Sequence, residues 1–124
     1  MMIHGTSLAA RLPGEAEPRF WYWHGTSGRR YIHSIYAPDV LPPLPGATYV
    51  AVRRIGAMRT AIAVGRFSVF WDQGMSGESR TYWRQIGADE VHVHLLGRDE
   101  NATRSIAADL ERAFSDQMAV SIAA

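Results

Sequence analysis

The sequence contains no cysteine and no lysine. Without cysteine there is no disulfide, no thiol nucleophile and no thiolate ligand for zinc or an iron–sulfur cluster. Without lysine there is no P-loop, no Schiff-base chemistry and no anchor for pyridoxal phosphate. Any catalysis would therefore depend on His, Asp, Glu, Ser, Thr, Tyr or Arg side chains.

Long apolar runs are also absent, so no membrane span or targeting segment is expected, and the default expectation is a cytoplasmic protein without a cofactor. The 124 residues, of which 47% are hydrophobic and 20% charged, fit one globular domain that can bury its own core. We expect a loose N-terminal arm over 1–18, a single domain over 19–118 and a C-terminal tail over 119–124.

Charge is distributed unevenly along the chain. All thirteen basic residues are arginine. Residues 1–84 hold ten arginines and five acids, whereas residues 85–124 hold three arginines and seven acids. This asymmetry predicts either a basic and an acidic surface, or ion pairs that join the two halves across the fold.

The pattern of apolar, glycine and proline residues predicts an α+β fold. Strands are predicted at 20–23, 29–36, 48–54, 60–67 and 90–96, with hairpin turns at 24–28 and at Gly56, a loop at 74–77, and helices at 78–86 and 100–118. Gly87 is expected to end the first helix, and Asp99, Glu100 and Asn101 to stabilise the start of the second. We expect two β-hairpins and a further strand to form a mostly antiparallel sheet, with both helices packed on one face.

Arginine alternates with aromatic residues in the two hairpins. The candidate binding residues are Trp21, Trp23, Arg29, Arg30, Tyr31, Arg53, Arg54 and Arg66. Guanidinium groups contact phosphate and aromatic rings stack on bases, so this pattern favours single-stranded nucleic acid, and a protein partner or a homodimer is the other candidate. The alternative is a purely structural role, in which the aromatic residues form the core and the arginines lie at its rim. Because Phe20 and Tyr22 face away from Trp21 and Trp23, one of these pairs must be exposed or covered by another layer.

Histidines provide the alternative functional hypothesis. His92 and His94 lie two apart in a predicted strand and so share a face, and His33, or alternatively His24 or Glu90, can supply a third ligand for a divalent metal such as zinc. That arrangement predicts a metal-dependent hydrolase acting on phosphodiesters or similar bonds. A polar, solvent-facing side of the strand, on which the two histidines form hydrogen bonds with neighbours, explains the same pattern. The tetrapeptide His-Gly-Thr-Ser, found at 4–7 and 24–27, is explained in its second copy by the hairpin turn.

Residues 47–118 show a remote resemblance to the GIY-YIG nuclease core. The resemblance covers Ala47-Thr48-Tyr49-Val50, then Ala63-Val64-Gly65-Arg66, then an arginine-bearing helix, a strand and a final helix. It implies roles for Tyr49, for Arg80 or Arg84, and for Glu111 as a metal-binding residue. Ala63 stands where the family has its second tyrosine, so the resemblance implies a catalytically degenerate core.

Overall fold

The structure is a computed structural model that describes residues 5–7, 19–42, 44–67, 73–95 and 99–123. The strands are β1 (Gly5–Ser7), β2 (Phe20–His24), β3 (Arg30–Tyr36), β4 (Thr48–Ile55), β5 (Met58–Arg66) and β6 (Glu90–His94); the helices are α1 (Gln73–Ile86) and α2 (Glu100–Ala123), and a 3-10 turn spans Pro38–Val40. None of the helices described is long and apolar enough to cross a membrane.

All six strands form one antiparallel sheet in the order β1-β2-β3-β6-β4-β5. The two predicted hairpins, β2–β3 and β4–β5, lie on either side of β6. In this central position, the side chains of β6 are buried on both faces of the sheet. The α+β class is confirmed, as are the two hairpins and the further strand.

The two helices pack on opposite faces of the sheet, so the prediction that both cover one face is wrong. Leu110 and Ala113 of α2 pack with Val50 of β4, whereas Trp83 of α1 packs with the neighbouring Ala51. Consecutive residues in a strand point to opposite faces. The sequence of β4 is apolar at both parities, Tyr49-Val50-Ala51-Val52, and such a strand needs a layer on each side.

The sheet also curls around the α2 side. Trp21 of β2 and Arg59 of β5 are separated in the sheet by β3, β6 and β4, yet the guanidinium of Arg59 lies 4.8 Å from the centre of the Trp21 ring. This contact brings the two outer parts of the sheet together over its centre. The face toward α2 is therefore a concave interior, and the face toward α1 is convex.

The ends of the elements follow local chemistry, with three differences from expectation. Gly87 has φ 78° and ends α1, where Ala88 N–H donates to Trp83 O and Gly87 N–H donates to Arg84 O, as expected. Asp99 caps α2, since its carboxylate accepts from the Ala102 N–H at 2.8 Å.

The differences concern predicted loops and termini. The loop expected at 74–77 is helical, because a glycine in a helix costs only about 1 kcal/mol. Gly5–Ser7, inside the predicted arm, form β1, and the rest of 1–18 lies outside the described residues. α2 continues through most of the predicted tail and ends at Ala123 rather than at Met118.

Candidate functional site

The aromatic residues predicted to form a binding platform line the concave interior instead. Trp23 is 1% exposed and belongs to the core formed with α2. Trp21 packs against that core, and the Tyr31 hydroxyl donates to Asp109 of α2 at 2.7 Å. These three side chains do not present an exposed stacking surface, because α2 covers their side of the hairpin.

Two of the predicted arginines form ion pairs that join the halves of the sequence. Arg66 binds Glu100 through two hydrogen bonds of 2.8 and 3.0 Å, and also donates to Gly46 O. Arg54 lies 3.8 Å from Glu90. The charge asymmetry along the chain is thus partly neutralised by contacts across the fold. Arg29, Arg30 and Arg53 are exposed.

A buried chain of hydrogen bonds crosses the interior from Arg59 to Trp23. Arg59 binds both oxygens of Glu90, at 2.8 and 3.2 Å, and the Nε2–H of His92 donates to Glu90 Oε1 at 2.9 Å. Trp23 Nε1–H donates to His92 Nδ1 at 2.9 Å. Burial favours protonation of Glu90, but the hydrogen bonds from His92 and Arg59 outweigh it and lower the pKa of Glu90 to about 2.

This network uses both ring nitrogens of His92, so that imidazole has no lone pair left for a metal. Burial lowers the pKa of His92 below its usual value despite the Glu90 carboxylate, which keeps the ring neutral with its proton on Nε2. His92, proposed as a metal ligand, therefore serves as a neutral hydrogen-bonding link in the core.

The other two predicted ligands, His33 and His94, lie side by side with ring centres 5.4 Å apart. Each donates through Nδ1–H to a backbone carbonyl, His33 to Tyr31 O and His94 to Ile32 O. Burial, with the nearby His94, lowers the pKa of His33 to about 3 and leaves its Nε2 as an unpartnered acceptor. Within the residues described, no group of three or more histidines or carboxylates could hold a metal ion.

The second His-Gly-Thr-Ser copy forms a loop that is clamped onto α2. Asp109 accepts from Ser27 N–H at 2.9 Å and from the Ser27 hydroxyl at 2.6 Å, in addition to Tyr31. A Cβ at Gly25 would lie 2.1 Å from the Asp109 carboxylate. The motif thus works as a structural clamp, in which glycine makes room for the aspartate.

The convex side of the β2–β3 hairpin carries aromatic rings beside an arginine. The sequence pattern predicted this combination for the face that holds Trp21 and Trp23. Tyr22 pairs with Ile32 in register, and Phe20 lies two residues along on the same face. Arg30 stacks over Tyr22, with its guanidinium 4.7 Å from the ring centre, and Phe20 is 40% exposed. Within the part of the chain described, Phe20, Tyr22 and Ile32 belong to neither hydrophobic core.

We call this surface the convex hairpin face: Phe20, Tyr22, Arg30 and Ile32. Only Arg30 was among the predicted binding residues. The alternation of the Phe20–Trp23 segment is the signal that could have found Phe20 and Tyr22, since it requires that one aromatic pair lie on each side of the sheet. Alternation alone does not say which side a helix covers.

Arginines continue around this side of the molecule. Arg53 projects from the α1 side of β4 and donates to Ile86 O at 3.3 Å, while Arg80 and Arg84 are exposed on α1. Asp39, 3.7 Å from Arg84, is an exposed acid nearby. By contrast, the exposed charges of α2 are mixed, since Glu100 and Glu111 are accompanied by Arg104 and Arg112, whereas those of the convex side are mainly arginine.

The residues that carry the nuclease resemblance lie on several elements. Tyr49 packs against Phe67 and Trp83 on the α1 side, and burial, with a hydrogen bond to Tyr82, raises the pKa of Tyr49 to about 12. Glu111 is exposed on α2. No family model, curated protein or solved structure matches this chain, so the resemblance stays a prediction.

Proposed function

We propose that this protein is a small binding protein that contacts nucleic acid through the arginines of its convex side. The observation that carries the proposal is the charge distribution. Arg30, Arg53, Arg80 and Arg84 are exposed on the sheet surface and on α1, while the arginines of the interior are paired with Glu90 and Glu100.

The permanent, planar charge of arginine suits phosphate, which it can bind through two parallel hydrogen bonds. Arg80 and Arg84 also lie four residues apart on one helix, an arrangement of like charges that slightly destabilises a helix and is relieved when an anion binds. We place the protein in the cytoplasm, where nucleic acid is abundant. The absence of cysteine is compatible with that compartment, in which disulfides are rare.

The experiment is fluorescence anisotropy with labelled RNA and DNA over a series of salt concentrations. Binding should weaken steeply with salt, and the slope of log K against log salt should fall by about 1 for each phosphate-contacting arginine removed. Arg80→Ala with Arg84→Ala should therefore lower both affinity and slope. Arg104→Ala with Arg112→Ala, which removes the same charge from α2, is the matched control and should change neither strongly.

Absence of binding to any labelled strand at low salt would contradict the proposal. The second candidate is a protein partner, including a second copy of this chain, and the exposed apolar side chains near the convex hairpin face favour it: Phe20 is 40% and Leu95 49% exposed. Light scattering after size exclusion measures self-association directly. A parent protein that is dimeric and a Phe20→Ser variant that is monomeric would support this candidate.

The metal-dependent hydrolase remains the enzymatic alternative. The hydrogen bonds of His92 to Glu90 and Trp23 argue against a role of His92 as a metal ligand. Metal analysis of the purified protein and of its His33→Ala and His94→Ala variants tests whether these two histidines bind a metal.

A further inference from the structure

The convex hairpin face combines ring surfaces with positive charge, and none of the four residues that define it is acidic. The rings are those of Phe20 and Tyr22 and the charge is that of Arg30, and the segment 19–36 that forms the hairpin contains no aspartate or glutamate. An aromatic face this close to arginine, without a carboxylate to compete for it, is complementary to a polyanion that also offers flat apolar surfaces.

The rings are arranged as a row along the strand. Phe20 and Tyr22 are two residues apart in β2, on the same face, and Cα atoms at this separation lie about 6.6 Å apart. The guanidinium of Arg30 of β3 lies over the ring of Tyr22, and Arg30 is exposed. Guanidinium planes and aromatic rings are the two surfaces on which proteins stack unpaired bases.

Resting on the proposed nucleic-acid function, we propose that the convex hairpin face is a single-strand site, in which Phe20 and the Arg30–Tyr22 pair stack against unpaired bases. The arginines of β4 and α1 then bind the phosphates of the same strand. The site belongs to residues on the face opposite the half-buried Trp21 and the buried Trp23.

The chemistry of the site favours a single strand over a duplex. Phe20 and Ile32 have no hydrogen-bonding side-chain atoms, so they cannot form the hydrogen bonds by which most base edges are recognised in a groove. A duplex hides the faces of its bases by stacking, whereas a single strand exposes them. A stacked base is worth about 1–3 kcal/mol, which corresponds to roughly a 5- to 150-fold change in affinity.

The test is anisotropy with three labelled probes of equal length: a single strand, the matching duplex, and an abasic single strand with the same phosphates. We expect the intact single strand to bind at least about fivefold more tightly than either of the others. Phe20→Leu keeps an apolar side chain and removes the ring, and should weaken only the binding of the base-containing strand. Phe20→Trp should restore or improve it.

Met58→Ala is the matched control, because Met58 is an exposed apolar residue without a ring and lies in the β4–β5 hairpin. Its affinities for all three probes should be unchanged. Equal binding of the abasic strand, or an unaltered affinity in Phe20→Leu and Tyr22→Leu, would overturn the single-strand site while leaving the electrostatic proposal intact. Failure of all three probes to bind would instead contradict the proposed function itself.

Discussion

The guanidinium of Arg59 lies between the Glu90 carboxylate, to which it donates two hydrogen bonds, and the ring of Trp21, 4.8 Å from its centre. These contacts join β5, β6 and β2, which are not consecutive in the sheet. A planar cation can bind a carboxylate through its edge and an aromatic ring through its face at the same time, and lysine cannot. Arg59 thus holds the curl of the sheet in place.

The first prediction concerns this side chain. Arg59→Lys keeps the charge but loses the two-point contact, so it should lower the free energy of unfolding by about 1–3 kcal/mol, the value of hydrogen bonds to a charged group. Arg59→Ala should cost about 3 kcal/mol or more, because it leaves Glu90 buried without its main partner. Chemical denaturation followed by tryptophan fluorescence measures both.

Arg112→Ala is the control for these variants, since Arg112 is exposed on α2 and its removal should change stability by less than about 0.5 kcal/mol. Equal stability of Arg59→Lys and the parent protein would show that the geometry of the guanidinium is unimportant here.

The second prediction distinguishes His92 as a link in the core from His92 as a ligand. His92→Phe leaves both Trp23 Nε1–H and the Glu90 carboxylate short of a partner, and each unsatisfied group costs about 1–3 kcal/mol. His92→Gln can still accept a hydrogen bond and donate one, so it should be clearly more stable than His92→Phe. Urea denaturation of both variants gives the comparison, and the reverse order would contradict the assigned hydrogen bonds.

The turns and the helix ends were predictable from this sequence, but the face of the β2–β3 hairpin that a helix covers was not. Gly56, with φ 60°, and Gly87 were identified from their positions between periodic segments, and Asp99 from the polar start of a helix. These features depend on neighbours in sequence. Which side of the β2–β3 hairpin is covered depends on α2, which begins 64 residues after β3 ends, as Tyr36 and Glu100 show.

The roles of the histidines escaped prediction for a related reason. The alternation of β6 places Glu90, His92 and His94 on one face, and this was recognised. Their partners come from strands that are not adjacent to β6: Arg59 of β5 bonds Glu90, and Trp23 of β2 bonds His92. A spacing of two residues therefore describes a metal pair and a buried hydrogen-bond chain equally well, and only the tertiary fold separates them.

The third prediction is a loss of stability in acid that develops in two pH ranges. His33 has a pKa of about 3 in the folded protein, below its usual 6.5, so the unfolded chain binds more protons and stability falls as the pH drops from 6.5 toward 3. His92 is shifted in the same direction. Glu90, with a pKa of about 2 instead of 4.5, adds a further loss between pH 4.5 and 2.

Each group contributes at most about 1.4 kcal/mol per pH unit within its range. Measured between pH 8 and 5, the slope of unfolding free energy against pH should be shallower in His33→Phe than in the parent protein, with the share of His92 remaining. Parallel slopes in the two proteins would mean that His33 takes up its proton over the same pH range in the folded protein as in the unfolded chain.

The last prediction concerns the clamp between the hairpin loop and α2. Gly25→Ala places a methyl group where the Asp109 carboxylate lies, so the loop must move and the bonds from Ser27 and Tyr31 must lengthen or break. The variant should be less stable by about 2 kcal/mol, the cost of losing hydrogen bonds to a charged acceptor. Asp109→Ala removes the same bonds and should cost a similar amount. Because both changes act on one contact, the double variant should lose much less than the sum of the single losses in equilibrium denaturation. Fully additive losses would show that Gly25 and Asp109 act independently and that the clamp is not a unit.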